Sequence, residues 1–521
     1  MLRMRRFALL AALLLCACSS MPKERHASPS YASPQDTPGT LSALLSPSRT
    51  ANPDLSGLAL LQDPRHALQA RLAMAAMAEH TLDLQYYIWH GDQSGLALLQ
   101  AVLQAAERGV RVRILLDDHT LKNADAPLAQ LAQLPNLEIK LYNPYGKRRS
   151  GSFARTLAFL GEFNRLNHRM HNKVMVADNQ LAIVGGRNIG DEYFGLSAHS
   201  NFQDLDVFVA GHAVRDLSSS FDLYWNSNWA ISAASIWRHS LNKLNPPAPA
   251  DPAIIQAKLA KGRAQFPASP YPLELDRHQV SAELADLPDR LYWGVAVVTA
   301  DPPRKDLAKQ PSATAVSELL SSLGQSAAEE ILISAPYFVP ESLTLKGIQQ
   351  LTDNGVEIKV LTNSLQASDV KVAHYGYVVR RQQALDSGAQ LFEYRPDARS
   401  GQQTQPASAR NVPLALHAKV AVYDRKRVYI GSANLDPRSL WLNTEIGLIV
   451  DDPHFATEVA QLLLRDMSAH SAYQLERHGE QLCWRALTEG SVQIVCQEPG
   501  LRWRDCIGIW LNRILPIEQQ L

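Results

Sequence analysis

The chain has 521 residues, too many for one ordinary domain and enough to bury two sizeable cores. Hydrophobic residues make up 46% and charged residues 20%, an ordinary globular balance. Lys+Arg and Asp+Glu are each 51, and a net charge of zero argues against a dedicated nucleic-acid binder while leaving room for local basic patches.

The first segment reads as a targeting signal. Arg3, Arg5 and Arg6 precede a short apolar run, Phe7 to Leu15, which is too short to span a bilayer and suits a secretory signal peptide over residues 1–17. The run ends Leu15-Cys16-Ala17-Cys18-Ser19. A cysteine after a small residue at that place resembles the bacterial lipobox, with Cys18 as the lipid-carrying first residue of the mature protein. A plain signal peptide with an incidental cysteine is the alternative. The globular part is then expected outside the cytoplasm, held by lipid to the cell envelope. Residues 18–57 are rich in Ser, Pro and Thr and read as a flexible tether.

Globular patterning starts at Leu58, and from there an internal repeat dominates the chain. A helical pattern over Leu96–Arg108 leads into Gly109-Val-Arg-Val-Arg-Ile-Leu-Leu, which alternates as a strand does. A second helical pattern, Leu343–Asn354, leads into Gly355-Val-Glu-Ile-Lys-Val-Leu. The offset is 355 − 109 = 246, and His171/His417, Lys173/Lys419, Asp178/Asp424, Gly185/Gly431 and Asn188/Asn434 all repeat it. Upstream, Asp83 to Trp89 is matched with Ile333 to Val339 as an apolar strand. Such long-range register marks a duplicated domain, not a short solenoid repeat. Each half reads strand, helix, strand, helix, strand, then a strand pair around the motif, which is an α/β arrangement with a mixed sheet between helices. The expected divisions are residues 58–245 for the first half, a Pro- and Ala-rich linker at 246–284, 285–475 for the second half, and a C-terminal extension at 476–521. Residues 397–411, just before the second His, read as a mobile loop. Cys483, Cys496 and Cys506 lie in the extension; two can pair, and their spacing makes no zinc site.

The pattern His-x-Lys-x4-Asp occurs twice, at His171/Lys173/Asp178 and His417/Lys419/Asp424. On a strand, His and Lys at i and i+2 point to one face. Two copies facing each other would place two imidazoles and two ammonium groups around one pocket. The lysines would offset the charge that grows on a phosphodiester under attack, as a metal does elsewhere. One imidazole can attack phosphorus while the other protonates the leaving oxygen. Asn188 and Asn434 offer amide donors, and Gly185-Gly186 and Gly431-Ser432 would let backbone approach the phosphate. No metal motif appears, and this chemistry calls for no cofactor.

These motifs resemble those of the phospholipase D superfamily. Within it, His168-Arg-Met-His-Asn-Lys173, Val184-Gly-Gly-Arg-Asn-Ile-Gly-Asp-Glu-Tyr-Phe194 and Leu515-Pro-Ile-Glu518 look like those of the cardiolipin synthases of the C type. The resemblance spans the chain from about Leu58 onward. It implies a duplicated phospholipase D-like α/β/α sandwich whose two halves share one active site, so that no homodimer is required. It also implies a phosphatidyl-histidine intermediate on His171, with His417 as acid and base. Asp178 and Asp424 are expected either near the catalytic groups or as shapers of their turns. The family orients its imidazoles with a carboxylate after each motif, and Asp204 and Glu445 fit, although their spacings from Asn188 and Asn434 differ. Both lie on apolar strands where an unpaired carboxylate is costly.

The implied reaction moves a phosphatidyl group from a donor, phosphatidylglycerol or phosphatidylethanolamine, to phosphatidylglycerol. A phospholipase D hydrolase is the nearest alternative, and a secreted phosphodiesterase acting on nucleic acid a more distant one. Two stretches favour a membrane surface as partner. The insert at 145–170 carries Lys147, Arg148, Arg149, Arg155, Arg165 and Arg169 beside Phe153, Leu157, Leu160 and Phe163. The C-terminal segment has Trp503, Ile507, Trp510, Leu511 and Ile514 at helical spacing, flanked by Arg502, Arg504 and Arg513. For that last stripe, packing against the second half is the first expectation and the bilayer interface the second.

Overall fold

A computed structural model describes Met21 and residues 28–514, apart from 122–123, 147–155, 157–158, 160, 241–249, 276, 305–314, 480 and 489. The signal peptide, Cys18, Leu515–Glu518 and most of the basic and apolar residues of the 145–170 insert lie outside the described residues. Among the described residues no helix is long and apolar enough to cross a membrane.

Each half is built on one mixed sheet. In the first, strands β1 (Ser56–Leu61), β2 (Thr81–Tyr86), β3 (Arg111–Asp117), β4 (Leu137–Tyr142), β5 (Val174–Ala177), β6 (Leu181–Gly185), β8 (Asp206–Gly211) and β9 (Ala230–Ser232) run in the spatial order β9-β4-β3-β2-β5-β6-β8-β1; a short β7 (Asn201–Gln203) stands apart. In the second, β10 (Tyr292–Ala300), β11 (Glu330–Ser334), β12 (Glu357–Asn363), β13 (Gln390–Tyr394), β15 (Val420–Tyr423), β16 (Arg427–Gly431), β17 (Ile446–Asp451), β18 (Ala472–His478), β19 (Gln481–Thr488) and β20 (Ser491–Val495) run β10-β17-β16-β15-β11-β12-β13-β18-β19-β20, with a short β14 (Leu414–Leu416) apart. β1 and β10 pair antiparallel and join the two into one 18-stranded sheet.

Period-two alternation explains how one strand serves two cores. On β5, Met175 and Ala177 enter the core of the first half, whereas Val174 and Val176 enter a core shared with Val420, Val422, Val428 and Ile430 of the second half. This common core holds the halves face to face. Two of the long helices start at Asp-Pro pairs. Asp63 accepts N–H bonds at the start of Pro64–Met77 and Asp452 at the start of Pro453–Asp466, with proline in the first turn, where its missing N–H costs nothing.

The structure corrects several boundaries. The tether expected over residues 18–57 contains a helix, Thr40–Ala51, anchored by fully buried Leu41 and Leu45. Ahead of it the chain is pinned through Ser30 to Arg113 and through Ala32 to Asp222. The described part of the 246–284 linker holds two helices, Pro252–Arg263 and Arg277–Ala285, that pack on helices of the first half. Residues 397–411 are not a mobile loop, because Arg399–Thr404 folds as a helix and Thr404 bonds Gln203 across the halves. The C-terminal extension continues the second sheet. Cys483 and Cys496 form a disulfide within it, and Glu498 ties it to His374 and Arg381. Cys506 is free and exposed.

The upstream repeat also slips by one residue. Asp178 accepts the Thr81 N–H and Asp424 the Glu330 N–H, so the true offset there is 330 − 81 = 249, whereas matching Asp83 with Ile333 gives 250. In a strand a one-residue error exchanges the two faces.

Candidate active site

The two histidines meet because short stretches of strand cross between the halves immediately before them. β14 pairs in parallel with β7, with Leu416 opposite Gln203, so that the next residues, His417 and Asp204, lie side by side. In the other half Met170 bridges Thr444, which brings His171 beside Glu445. The result is a pair of crossed dyads. His171 Nδ1 lies 2.9 Å from Glu445 Oε2, and His417 Nδ1 lies 2.6 Å from Asp204 Oδ2. Each imidazole is therefore held by a carboxylate of the opposite half. A carboxylate can only accept, so Nδ1 carries the proton and Nε2 keeps its lone pair.

Two residues that sequence reasoning missed set this geometry. Asp117 accepts the Met170 N–H at 2.9 Å. Asn363 accepts the Leu416 N–H at 2.8 Å and donates to the Leu416 carbonyl at 2.9 Å. Both sit at the end of the repeated strand, and 363 − 117 = 246, so the repeat register itself was the signal.

Both carboxylates have fitted surroundings. A Cβ on Gly186 would collide with the Asp204 carboxylate. Ser432 donates its hydroxyl to Glu445 Oε2 at 2.5 Å. Gly186 and Ser432 thus serve the orienting carboxylates. Gly185 and Gly431 likewise admit the neighbouring strand.

The lysines are buried with the histidines. Lys173 Nζ donates to the His171 carbonyl at 2.6 Å, and Lys419 Nζ donates to that of His417. Tyr87 flanks His171 at 5.2 Å between ring centroids, and Tyr193 and Phe202 flank His417 at 5.2 and 4.9 Å.

Burial dominates the electrostatics. It pushes His171 down to about 4, with Glu445 opposing and Lys173 and Lys419 assisting, so the charge of the second half reaches the first imidazole. His417 is lowered by burial and by Lys419, against Asp204. Burial drives Lys173 well below its ordinary value and Lys419 to about 8. Burial alone would raise Asp204, but His417, then Lys419 and Arg187, outweigh it and hold it at about 2. Glu445 is likewise lowered, by His171 and Lys173 against burial. The free site thus keeps neutral imidazoles facing ionised carboxylates.

Asp178 and Asp424 are not part of this cluster. Each occupies the first of two positive-φ positions (φ 52° for both) in the hairpin turn beyond the motif strand, a conformation that favours Asp and Asn. Asp178 accepts the N–H groups of Glu79, His80 and Thr81, and Asp424 those of Ala328, Glu329 and Glu330. They stand seven residues, roughly 23 Å of extended chain, beyond the histidines, and their work is to join strands. Asn188 is also committed, accepting the Ile88 N–H and donating to the Tyr193 hydroxyl, whereas Asn434 Oδ1 is buried with no partner among the described residues.

Among the described residues one group could hold a cation. His90, Asp92 and Glu192 place ligand atoms within 4.8 Å of one another, but they lie outside the dyads and are engaged with each other and with the Asp191 backbone.

This geometry accords with comparison to known proteins. The model for "Cardiolipin synthase, PLD-like domain" matches residues 72–225 and 320–467, once in each half. The chain belongs to this family. It is similar to cardiolipin synthase C of Escherichia coli, 34% identical over 92% of this chain and 99% of the relative. It is similar also to cardiolipin synthase A of Pseudomonas putida, 27% identical over 78% and 67%. In fold it resembles the phosphatidylserine synthase of Haemophilus influenzae, with a TM-score of 0.55 at 12% identity over 92% of this chain and 99% of that one. The expected duplicated α/β fold is thereby borne out.

Proposed function

We propose that the protein makes cardiolipin by transferring a phosphatidyl group from a phospholipid donor to the terminal hydroxyl of phosphatidylglycerol through a covalent phosphohistidine. Membership of the cardiolipin synthase family makes it a phosphatidyltransferase. The observation that carries the mechanism is the crossed pair of dyads, which leaves one Nε2 from each half for the reacting phosphate.

His171 Nε2, neutral because burial holds it at about 4, attacks phosphorus. The bond from phosphorus to the leaving headgroup oxygen breaks, and His417 Nε2–H gives that oxygen its proton. The short contact with ionised Asp204 favours the imidazolium at His417 and so its part as acid. Both carboxylates are ionised and burial pushes both lysines toward their neutral forms, so the free site holds its protons weakly. An arriving phosphodiester adds one negative charge and makes every proton-binding group there easier to protonate. The charge of the bound substrate therefore lets His417 take up from solvent the proton that it passes to the leaving oxygen. In the second half-reaction His417 takes the proton of the phosphatidylglycerol hydroxyl, the hydroxyl oxygen attacks phosphorus, and the N–P bond to His171 breaks. The donor is a second phosphatidylglycerol or, as the resemblance to the C type suggests, phosphatidylethanolamine. The enzyme works at a membrane surface in the cell envelope, outside the cytoplasm, with Cys18 as its lipid carrier; the charged start, apolar run and lipobox-like end of residues 1–18 support this placement.

The test is the lipid profile of cells without cardiolipin synthases of their own, with and without phosphatidylethanolamine. The intact chain restores cardiolipin, and His171→Ala and His417→Ala each cut it by about 10^4-fold or more. Phosphatidic acid in place of cardiolipin would mean a hydrolase, and no lipid change would end the lipid reading. Fatty-acid labelling of the chain that survives Cys18→Ala would sink the anchor.

A further inference from the structure

The C-terminal helix Trp503–Ile514 does not pack through its aromatic stripe. It meets the helix Lys371–Asp386 through its opposite side, where Gly508 lies against Tyr375, Asp505 accepts the Tyr375 hydroxyl, and Asn512 is buried. Trp503 (69% exposed), Ile507 and Trp510 (59%) face outward, at positions i, i+4 and i+7 of one helical face. The expectation that the stripe packs on the second half is thus reversed.

This face is continuous with the rim of the active site. The parallel strands β11 and β12 end on the edge where His417 enters β15. The residues after β12 lead to Asp369, whose charge acts on both His417 and Lys419, and then to exposed Val370 and Val372 at the start of the helix that carries the C-terminal one. On the same edge Tyr337, after β11, bonds Asp369, and half-exposed Trp441 bonds Glu341. Apolar side chains therefore run outward from the site mouth onto the C-terminal helix. Arg502, Arg504 and Arg513 are exposed beside them, while Asp505, the one acidic residue of the helix, is taken up by Tyr375.

We propose that this face, centred on Trp503, Ile507 and Trp510 and continued by Val370, Val372 and Trp441, seats the second half on an anionic phospholipid bilayer. The inference rests on the transferase reading for its purpose but not for its test. Tryptophan beside arginine suits the headgroup boundary, where indole spans apolar and wet layers and guanidinium meets lipid phosphate. A diacyl substrate must leave the bilayer at the site mouth, and contiguity of face and mouth shortens the distance over which its chains meet water.

Full-length protein carrying Cys18→Ser, which lacks any anchor lipid, is sedimented with phosphatidylcholine vesicles with or without phosphatidylglycerol. Trp503→Ser/Trp510→Ser weakens partition to phosphatidylglycerol vesicles by about tenfold or more and lowers turnover of vesicle lipid in proportion. Turnover of monomeric short-chain phosphatidylglycerol stays at the parent value. Arg504→Gln/Arg513→Gln weakens partition to the anionic vesicles alone. Parent-like partition of the tryptophan variant overturns the proposal, and so does a change in self-association without a change in vesicle binding, which assigns the face to a second copy of the chain. If the transferase reading were the one at fault, the parent would not turn over monomeric lipid, while vesicle partition would still report on the face.

Discussion

The two halves hold the same chemistry with different supports. In the first half Asp204 follows Gly186, a residue without a side chain; in the second, the longer Glu445 follows Ser432, whose hydroxyl it accepts. The offset between halves is 246 up to Asn188 and Asn434, yet 445 − 204 = 241. The first half therefore has five more residues between Asn and carboxylate. That segment supplies Tyr193 and Phe202, which wall in His417, while in the second half the shorter route runs through the turn Arg438–Leu442. Burial of the site has also been met differently. Asp206 is locked between Arg71 and Arg187 in the first half, whereas its counterpart, at 206 + 241 = 447, is Gly447 against the Tyr429 ring. Duplication has kept the paired His and Lys of each half and let their scaffolds diverge.

The sharpest way to break this comparison is to disable one crossed dyad at a time. Because Glu445 orients His171 and Asp204 orients His417, Glu445→Gln should act as a nucleophile defect and Asp204→Asn as an acid–base defect, each lowering kcat by about 10^2- to 10^4-fold. A donor with a highly acidic leaving group needs no protonation. It should rescue the first half-reaction of Asp204→Asn, seen as a burst of phosphoenzyme, and should not rescue Glu445→Gln. Rescue in the reverse order would exchange the roles of the two histidines.

The crossing itself was not legible in the sequence, although its parts were. The 246-residue register exposed His171, Lys173, His417 and Lys419, and apolar strands flagged Asp204 and Glu445 as carboxylates in need of partners. Which carboxylate serves which histidine depends on the short parallel pairing of β14 with β7 and on the bridge at Met170, contacts far apart in the chain that no local pattern encodes. Asp117 and Asn363 were hidden for another reason. They are different residue types, so identity of repeat did not mark them, though both do one job. The helix at Thr40–Ala51 escaped because Pro47 and a Ser-rich composition read as linker, and only tertiary burial of Leu41 and Leu45 overrides that.

A smaller effect concerns pH. The charged form of Lys419 is the useful one, and burial has lowered its pKa to about 8. Loss of that charge sets an upper bound on the alkaline limb of kcat/KM, which falls at or below about 8 because burial lowers Lys173 and the acid His417 as well. On the acid side the useful form of His171 is the neutral one, and kcat/KM should fall only as pH drops through about 4. Arginine stays charged throughout, so Lys419→Arg should move the alkaline limb upward even if the variant is slow. An unmoved limb would assign the titration to another lowered group, Lys173 or His417.

The smallest effect on activity is expected at the aspartates that complete each motif, and here the halves should separate by burial. Asp178 is 2% exposed and bonds three backbone N–H groups, whereas Asp424 makes equivalent bonds from a half-exposed turn. Asp178→Ala strands those donors in the interior and should cost about 1–3 kcal/mol of stability. Water can replace the carboxylate at Asp424→Ala, so the cost there is smaller. Alanine also suits the positive-φ position less well than aspartate, a penalty common to both sites. Denaturant unfolding would rank the variants, and turnover per folded molecule should stay within a few-fold of the parent for each. A loss of kcat of about 10^3-fold in a variant that remains folded would mean that the turn positions His171 or His417 through the motif strand, and the aspartates would then rejoin the catalytic machinery.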